Sequence, residues 1–407
     1  MKRLTLLSAL FLMVGTLVAQ TLELKRGNVS VLYDVQTIGE VLVSDDAEAL
    51  TIAGTAYAVN TITQMAITDQ EVKPLTVSVD YSLSGATVCL SGDLAPYLTV
   101  DVAGGDVSIT ANAALQKEVV YHLSGQSEAG SFTMEGEYKA TVVLHSLSLK
   151  STTLSMPAIN ILNGKRINIE VEGENFFEDA AGGTHKGAFF VNGHPEIVGD
   201  GSLHIKGNSK HGYVSDEYTQ IKEEFTGSIN VTGAVNDAFH IDQYFLMQGG
   251  TLTMQNIGGD GIDVSLTNDV ADEYNGQVFI ENGTIILDVV AHDTKGIKSD
   301  GDMTISGGTI RGNVSGNGTK GLSVDGNLLI NEATATTLID LLVTGTTYAS
   351  GTADESKCRG IKGKGDFTFD GGKILISATG VKSKAISIDG NYYYKSGLIN
   401  CAVDAAN

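Results

Sequence analysis

Tryptophan is absent from this chain, and 407 residues contain only four prolines and three cysteines. Without an indole, any site that recognises a ligand by ring stacking must use tyrosine, or replace stacking by charge. So few prolines leave no Pro-rich linker, and no Ser/Pro-rich or low-complexity tail divides the chain. Cys89, Cys358 and Cys401 are odd in number, widely spaced and outside any C-x-x-C pattern. This excludes a disulfide framework and a cysteine zinc site, and leaves isolated structural thiols. Positive charge is scarce too: 26 Lys and Arg stand against 48 Asp and Glu, a formal net charge of −22. That balance excludes nucleic acid and anionic membrane surfaces as partners. It favours calcium wherever carboxylates cluster.

The one long apolar run opens the chain. Lys2 and Arg3 precede a mostly apolar stretch from Leu4 to Val18, and Ala19-Gln20 offers a small-residue exit. The pattern predicts a secretory signal peptide over 1–20, too short and too early for a spanning helix. No cysteine sits near its end, so a lipid anchor is not expected, and no later run is long enough for a transmembrane segment. The expected address is secreted, cell-surface or periplasmic.

From about Ser155 onward the sequence repeats. A small residue followed by an apolar one recurs as Ala158-Ile159, Ala188-Phe189, Gly212-Tyr213, Ala238-Phe239, Gly261-Ile262, Gly296-Ile297, Gly321-Leu322, Gly360-Ile361 and Ala385-Ile386. The small residues are spaced by 30, 24, 26, 23, 35, 25, 39 and 25. Later units add a second mark, as in Gly249-Gly250-Thr251-Leu252 and Gly307-Gly308-Thr309-Ile310, with a short run such as Met303-Thr304-Ile305 between the two. Each unit of about 25 residues thus holds three short alternating runs, which predicts half-buried strands. No helical segment separates them, so βαβ crossovers cannot join parallel strands. Winding into a three-sided coil can, with each turn stacked on the last at roughly 4.8 Å. The expected fold is therefore all-β, a single-stranded parallel β-helix of about nine coils between Ser155 and Asn400. Its inward column holds Phe239, Ile262, Ile297 and Leu322. The longer spacings place insertions at about Asn268–Gln277 and Ala333–Ser356, expected as loops on one flank. Upstream, residues 22–145 alternate without the period. We expect a strand-rich N-terminal region over 21–74, then the β-helix domain over 75–407, its first turns capping the open end.

Several stretches resemble a family of bacterial exported carbohydrate-binding domain-containing proteins. They are Gly130-Ser131-Phe132, Lys139-Ala140-Thr141-Val142-Val143-Leu144, Asn163-Gly164-Lys165-Arg166-Ile167, His194-Pro195-Glu196-Ile197 and Gly199-Asp200-Gly201-Ser202-Leu203, with the later Asp-Gly-Ile and Gly-Gly-Thr-Ile rungs. The resemblance covers roughly Val77 to Asn400. It implies a right-handed β-helix, non-catalytic binding of polysaccharide such as plant cell-wall or acidic pectin-like glycan, bound calcium, and structural kinship with family nine pectate lyases. The sequence departs from the family at the rung edge. Asp237 and Asp260 keep the usual aspartate, but Lys295, Lys320, Arg359 and Lys384 replace it on the four following rungs.

Two sets of candidate residues follow. The metal candidates are Asp237, Asp242, Asp260, Asp263 and Asp293, because carboxylates on adjacent rungs can converge on one calcium ion. Aspartates also populate turns, where they bond local backbone. The ligand-binding candidates are the cations Lys295, Lys320, Arg359 and Lys384, with Lys298 and Lys362 three residues further along two of those rungs. Cations stacked about 5 Å apart repel by roughly 1 kcal/mol in water and about 3 kcal/mol at an effective dielectric of 20. Either the carboxylates Asp300, Asp325 and Asp389 offset this internally, or a bound chain of uronate groups does. Asp260, Asp293 and Lys295 could instead form a calcium-assisted pectate lyase set. The basic residues form a repeat column, however, and no singular catalytic constellation stands out. A surface adhesin or structural solenoid needs only the stable coil and is a third alternative. The histidines show no H-x-H or H-E-x-x-H pattern, and His211 and His240 read as rung-surface residues. Tyr213 reads as core. Tyr218, Tyr244 and Tyr274 lie near turns, where they could stack on sugars, and the alternating Tyr392-Tyr393-Tyr394 run can turn only one or two rings to a ligand.

Overall fold

The computed structural model describes residues 2–3 and 20–404, so nearly all of the expected signal peptide lies outside the described residues. The all-β expectation holds: among the described residues the only helical element is a three-residue 3-10 turn, Val59–Thr61. Most strands join one long mixed sheet, in which strands three apart in order pair in parallel.

From Gly187 onward the chain visits three ladders in turn. The first runs through His211–Ser215, Phe239–Asp242, Ile262–Ser265, Lys295–Ser299, Lys320–Val324, Arg359–Gly363 and Lys384–Ile388. The second runs through Thr219–Phe225, Tyr244–Met247, Gln277–Ile280, Met303–Ile305 and Leu328–Asn331. The third runs through Ser228–Ala234, Thr251–Met254, Thr284–Val289, Gly308–Val314 and Thr337–Val343. Near the end the second and third ladders share single strands, Phe367–Ala378 and Tyr392–Val403, bent at a bulge near Asp370.

The predicted inward column is present in register. Phe239 faces Ile262, Ile262 faces Ile297, and Ile297 faces Leu322, all four with no exposed surface. Such a column gains its burial only from the rungs above and below. The recurring small residue has a steric cause. A Cβ on Gly261, Gly296, Gly321 or Gly360 would stand 2.4–2.6 Å from the carbonyl oxygen of the small residue one rung on.

Parallel stacking also reaches upstream of Ser155. Thr76–Ser82 pairs with Val119–Ser127, which pairs with Ala140–Lys150. The period is hidden there because the hairpin strands Gly85–Ser91, Leu98–Ala103 and Gly105–Ala111 intervene, so Thr76 meets Val120, 44 residues on. Before them, Thr21–Arg26 pairs antiparallel with Val29–Asp34 and Gln64–Thr68, beside a small separate antiparallel sheet.

The insertions differ from expectation in one respect. Residues 266–276 leave between the first and second ladders. The second insertion is 344–358, between the third and the first, because Thr337–Val343 is a regular ladder strand. They therefore occupy different corners, not one flank.

Candidate functional site

The residues just outside the buried column of the first ladder form a polar edge. Its cations are in register: Lys295 pairs with Lys320, Lys320 with Arg359, and Arg359 with Lys384. One residue past the buried column, His240 pairs with Asp263, Asp263 with Lys298, Lys298 with Ser323, and Ser323 with Lys362. Strand alternation sets the second column, one residue past the buried position, whereas the cations stand two residues before it, where each strand begins.

The carboxylates at the acidic end are heavily committed. Asp237 Oδ1 accepts the Asp260 N–H at 2.7 Å, and Asp260 Oδ1 accepts the Lys295 N–H at 2.8 Å. Each aspartate thereby satisfies backbone one rung further on, the role that turn aspartates ordinarily fill. Asp237 Oδ2 also stands 3.1 Å from His211 Nδ1 and 3.4 Å from His240 Nδ1. Asp263 is held by His240 at 3.0 Å and Lys298 at 2.8 Å. Burial opposes ionisation of Asp237, but its hydrogen bonds to both histidines outweigh it and hold the carboxyl well below the usual range. Hydrogen bonds to Asp237 and Asp263 raise His240 to about 9 against the opposing effect of burial. Asp260 lacks such partners, and burial pushes it up to about 6 despite Lys295.

The remaining metal candidates are placed differently. Asp242 pairs across the ladder with Ser265, and Asp293 bonds Lys320 at 3.2 Å from a turn with positive φ. Among the described residues, the only three metal-ligating side chains whose donor atoms lie within 4.8 Å of one another are His211, Asp237 and His240. No three of the five predicted aspartates meet as closely. His211, expected on the rung surface, is instead buried at 1% exposure, because its ring packs against His240 with centroids 4.5 Å apart.

The cationic column pairs otherwise than with Asp300, Asp325 and Asp389. Lys295 Nζ donates to the Asp293 carbonyl at 3.0 Å, and Lys320 Nζ to the Gly318 carbonyl at 2.7 Å. The Arg359 guanidinium donates to the Cys358 and Lys382 carbonyls and is buried, which lowers its basicity. Lys384 is exposed. The expected carboxylates are taken by other lysines: Lys298 holds Asp300 at 2.9 Å, Lys364 holds Asp325 at 2.7 Å, and Lys362 holds Asp389. Internal carboxylate pairing therefore accounts for Lys298 and Lys362 and, through Asp293, for Lys320, whereas Lys295 and Arg359 bond backbone carbonyls. At its C-terminal end lies a cavity of about 590 Å³, lined by Lys357, Arg359, Lys382, Ser383 and Lys384 over Ala385, Ile386, Cys401 and Val403. Among the described residues no carboxylate lines it, although Lys357 is paired with Glu355 at 3.3 Å.

An aromatic ladder was not anticipated. His194, Tyr218 and Tyr244 stack with centroids 4.7 and 4.8 Å apart, and Tyr274 meets Tyr244 edge-on. The rings cover one another, so the tyrosines considered for sugar stacking mainly serve each other. The signal was legible, since His194, Tyr218 and Tyr244 each immediately precede a second-ladder position. Tyr213 is core as expected. Tyr392, Tyr393 and Tyr394 are all about half exposed, because among the described residues no further strand stacks on theirs.

These features define an all-β protein of stacked parallel ladders with an ion-rich outer edge. The model of the carbohydrate-binding domain-containing protein family matches residues 103–404, and the chain belongs to that family. A solved structure of a polysaccharide lyase-like protein from C. thermocellum is similar at 15% identity and a TM-score of 0.46, covering 80% of this chain and 99% of that one. No curated protein matches.

Proposed function

We propose that this chain is an exported right-handed β-helix of about nine coils that binds acidic polysaccharide without cleaving it. The pairing of every third strand supports the coil, and a right hand is the one that parallel crossover connections adopt in about 98% of cases. Family membership supports carbohydrate as the ligand class. The observation that carries the acidic specificity is the cavity at the end of the cationic column. Lys357, Arg359, Lys382 and Lys384 line it, no described carboxylate does, and Glu355 pairs with Lys357 alone at 3.3 Å, in a chain whose acids outnumber its bases 48 to 26. Carboxylate groups of a uronate chain complement such a surface. Lys384, the exposed member of the column, makes the first contact.

Calcium, implied by the resemblance, is not required by this reading. It needs six to eight oxygens, whereas Asp237 and Asp263 are shared with His211, His240 and Lys298. The side chains gathered there do not fit a calcium shell, and the cationic surface needs no metal to attract uronate.

Affinity electrophoresis in polygalacturonate and in a neutral glucan tests the proposal. Retardation in polygalacturonate alone, weakened several-fold by Lys384→Ala, is the expected result. Equal mobility in both gels leaves the chain a neutral-glycan binder or a structural solenoid.

A further inference from the structure

We infer that His211, Asp237 and His240 form a binding site for a nitrogen-preferring divalent ion of the zinc class. The three come from adjacent rungs of the first ladder, and their donor atoms lie within 4.8 Å of one another.

The contacts among them leave one buried ring nitrogen without a partner. With its proton on Nδ1, His211 donates to Asp237 Oδ2 at 3.1 Å, and the Asp237 backbone N–H approaches the same nitrogen at 3.3 Å. Nε2 is buried and has no hydrogen-bond partner. In this tautomer Nε2 is a buried acceptor with nothing to accept, and in the other it is a buried donor while the Nδ1 lone pair faces the carboxylate, so neither neutral form satisfies both nitrogens. His240 Nδ1 adds a second nitrogen 3.4 Å from the same Asp237 oxygen.

The two nitrogen–carboxylate separations, 3.1 and 3.4 Å, match those of donors sharing one ion. Zinc binds imidazole nitrogen and carboxylate oxygen at about 2.0–2.2 Å, so neighbouring donors stand about 3.0–3.4 Å apart between the octahedral and tetrahedral angles. Two nitrogens and one carboxylate suit zinc better than calcium, which prefers oxygen throughout. The imidazoles are stacked 17° from parallel, so binding requires them to turn about χ2 until both lone pairs meet one ion. Without the ion, His240 Nδ1 has Asp263 Oδ2 to bond at 3.0 Å. Three protein donors would leave a position for water, and the ion would clamp two rungs together across the ladder.

The test uses the full chain, stripped with chelator and titrated calorimetrically with zinc and with calcium. Cobalt(II) serves as the spectroscopic probe. The inference predicts one equivalent of zinc, competition by cobalt with visible d–d absorption, and a higher thermal midpoint with zinc than with calcium. Because His211 is buried, His211→Ala carries a folding risk, so the diagnostic variant is the half-exposed His240→Gln. It should weaken zinc at least tenfold while keeping the metal-free melting transition cooperative. A wild-type chain that binds no zinc overturns the inference, as does zinc affinity unchanged in His240→Gln. Neither outcome bears on glycan binding, which is measured separately.

Discussion

At the scale of single residues, the polar edge shows where short motifs fail. His211, Asp237 and His240 meet because one rung lies 26 residues after the last, with a further step of three. A search for H-x-H or H-E-x-x-H cannot detect a site assembled across a solenoid. The basic column was legible, because its period is that of the fold. Its hydrogen-bond partners were not, since Asp300, Asp325 and Asp389 go to lysines on neighbouring strand positions. The cysteines give a residue-level prediction. Cys358 is buried and the Cys89 thiol is pushed up to about 11, mainly by burial, with Glu23 and Asp80 adding to it. Cys89 forms thiolate only as pH rises towards that value, so near pH 8 a thiolate-specific reagent should modify the exposed Cys401 first. Mass mapping of the labelled peptides reads this out. Faster labelling of Cys89 than Cys401 would contradict the placement of both.

At the scale of elements, the repeat made the first ladder readable residue by residue. Each small-plus-apolar pair marks a position where a Cβ meets the neighbouring rung and the next side chain enters the core. Ile297→Ala should cost about 2–5 kcal/mol, because its neighbours Ile262 and Leu322 are fixed by their own rungs and cannot fill the void. Chemical denaturation would measure this as a lower midpoint with little change in slope. Gly296→Val should be more damaging, since the Cβ would sit 2.5 Å from the Gly321 carbonyl oxygen. Loss of soluble, cooperatively melting protein is expected there, whereas Ala385→Gly should retain a cooperative transition, its carbonyl contact with Gly360 being backbone. What stayed hidden was irregular. The 44-residue return from Thr76 to Val120 obscured the early rungs, and a true strand, Thr337–Val343, lay inside an apparent insertion.

At the scale of the whole molecule, acidity and a local cationic surface coexist. The net charge of −22 should repel an acidic glycan over most of the surface and confine attachment to the end of the column where Lys357, Arg359, Lys382 and Lys384 cluster. Attachment should therefore weaken as salt shortens the Debye length from about 10 Å at 0.1 M to about 3 Å at 1 M. The most direct measurement mixes purified chain with polygalacturonate in chelator and then in millimolar calcium, following sedimented complex and ultraviolet absorbance of unsaturated product together. The account predicts salt-sensitive binding that persists in chelator, with flat absorbance throughout. Absorbance that rises with calcium and is abolished by Lys295→Ala would contradict it and establish a lyase.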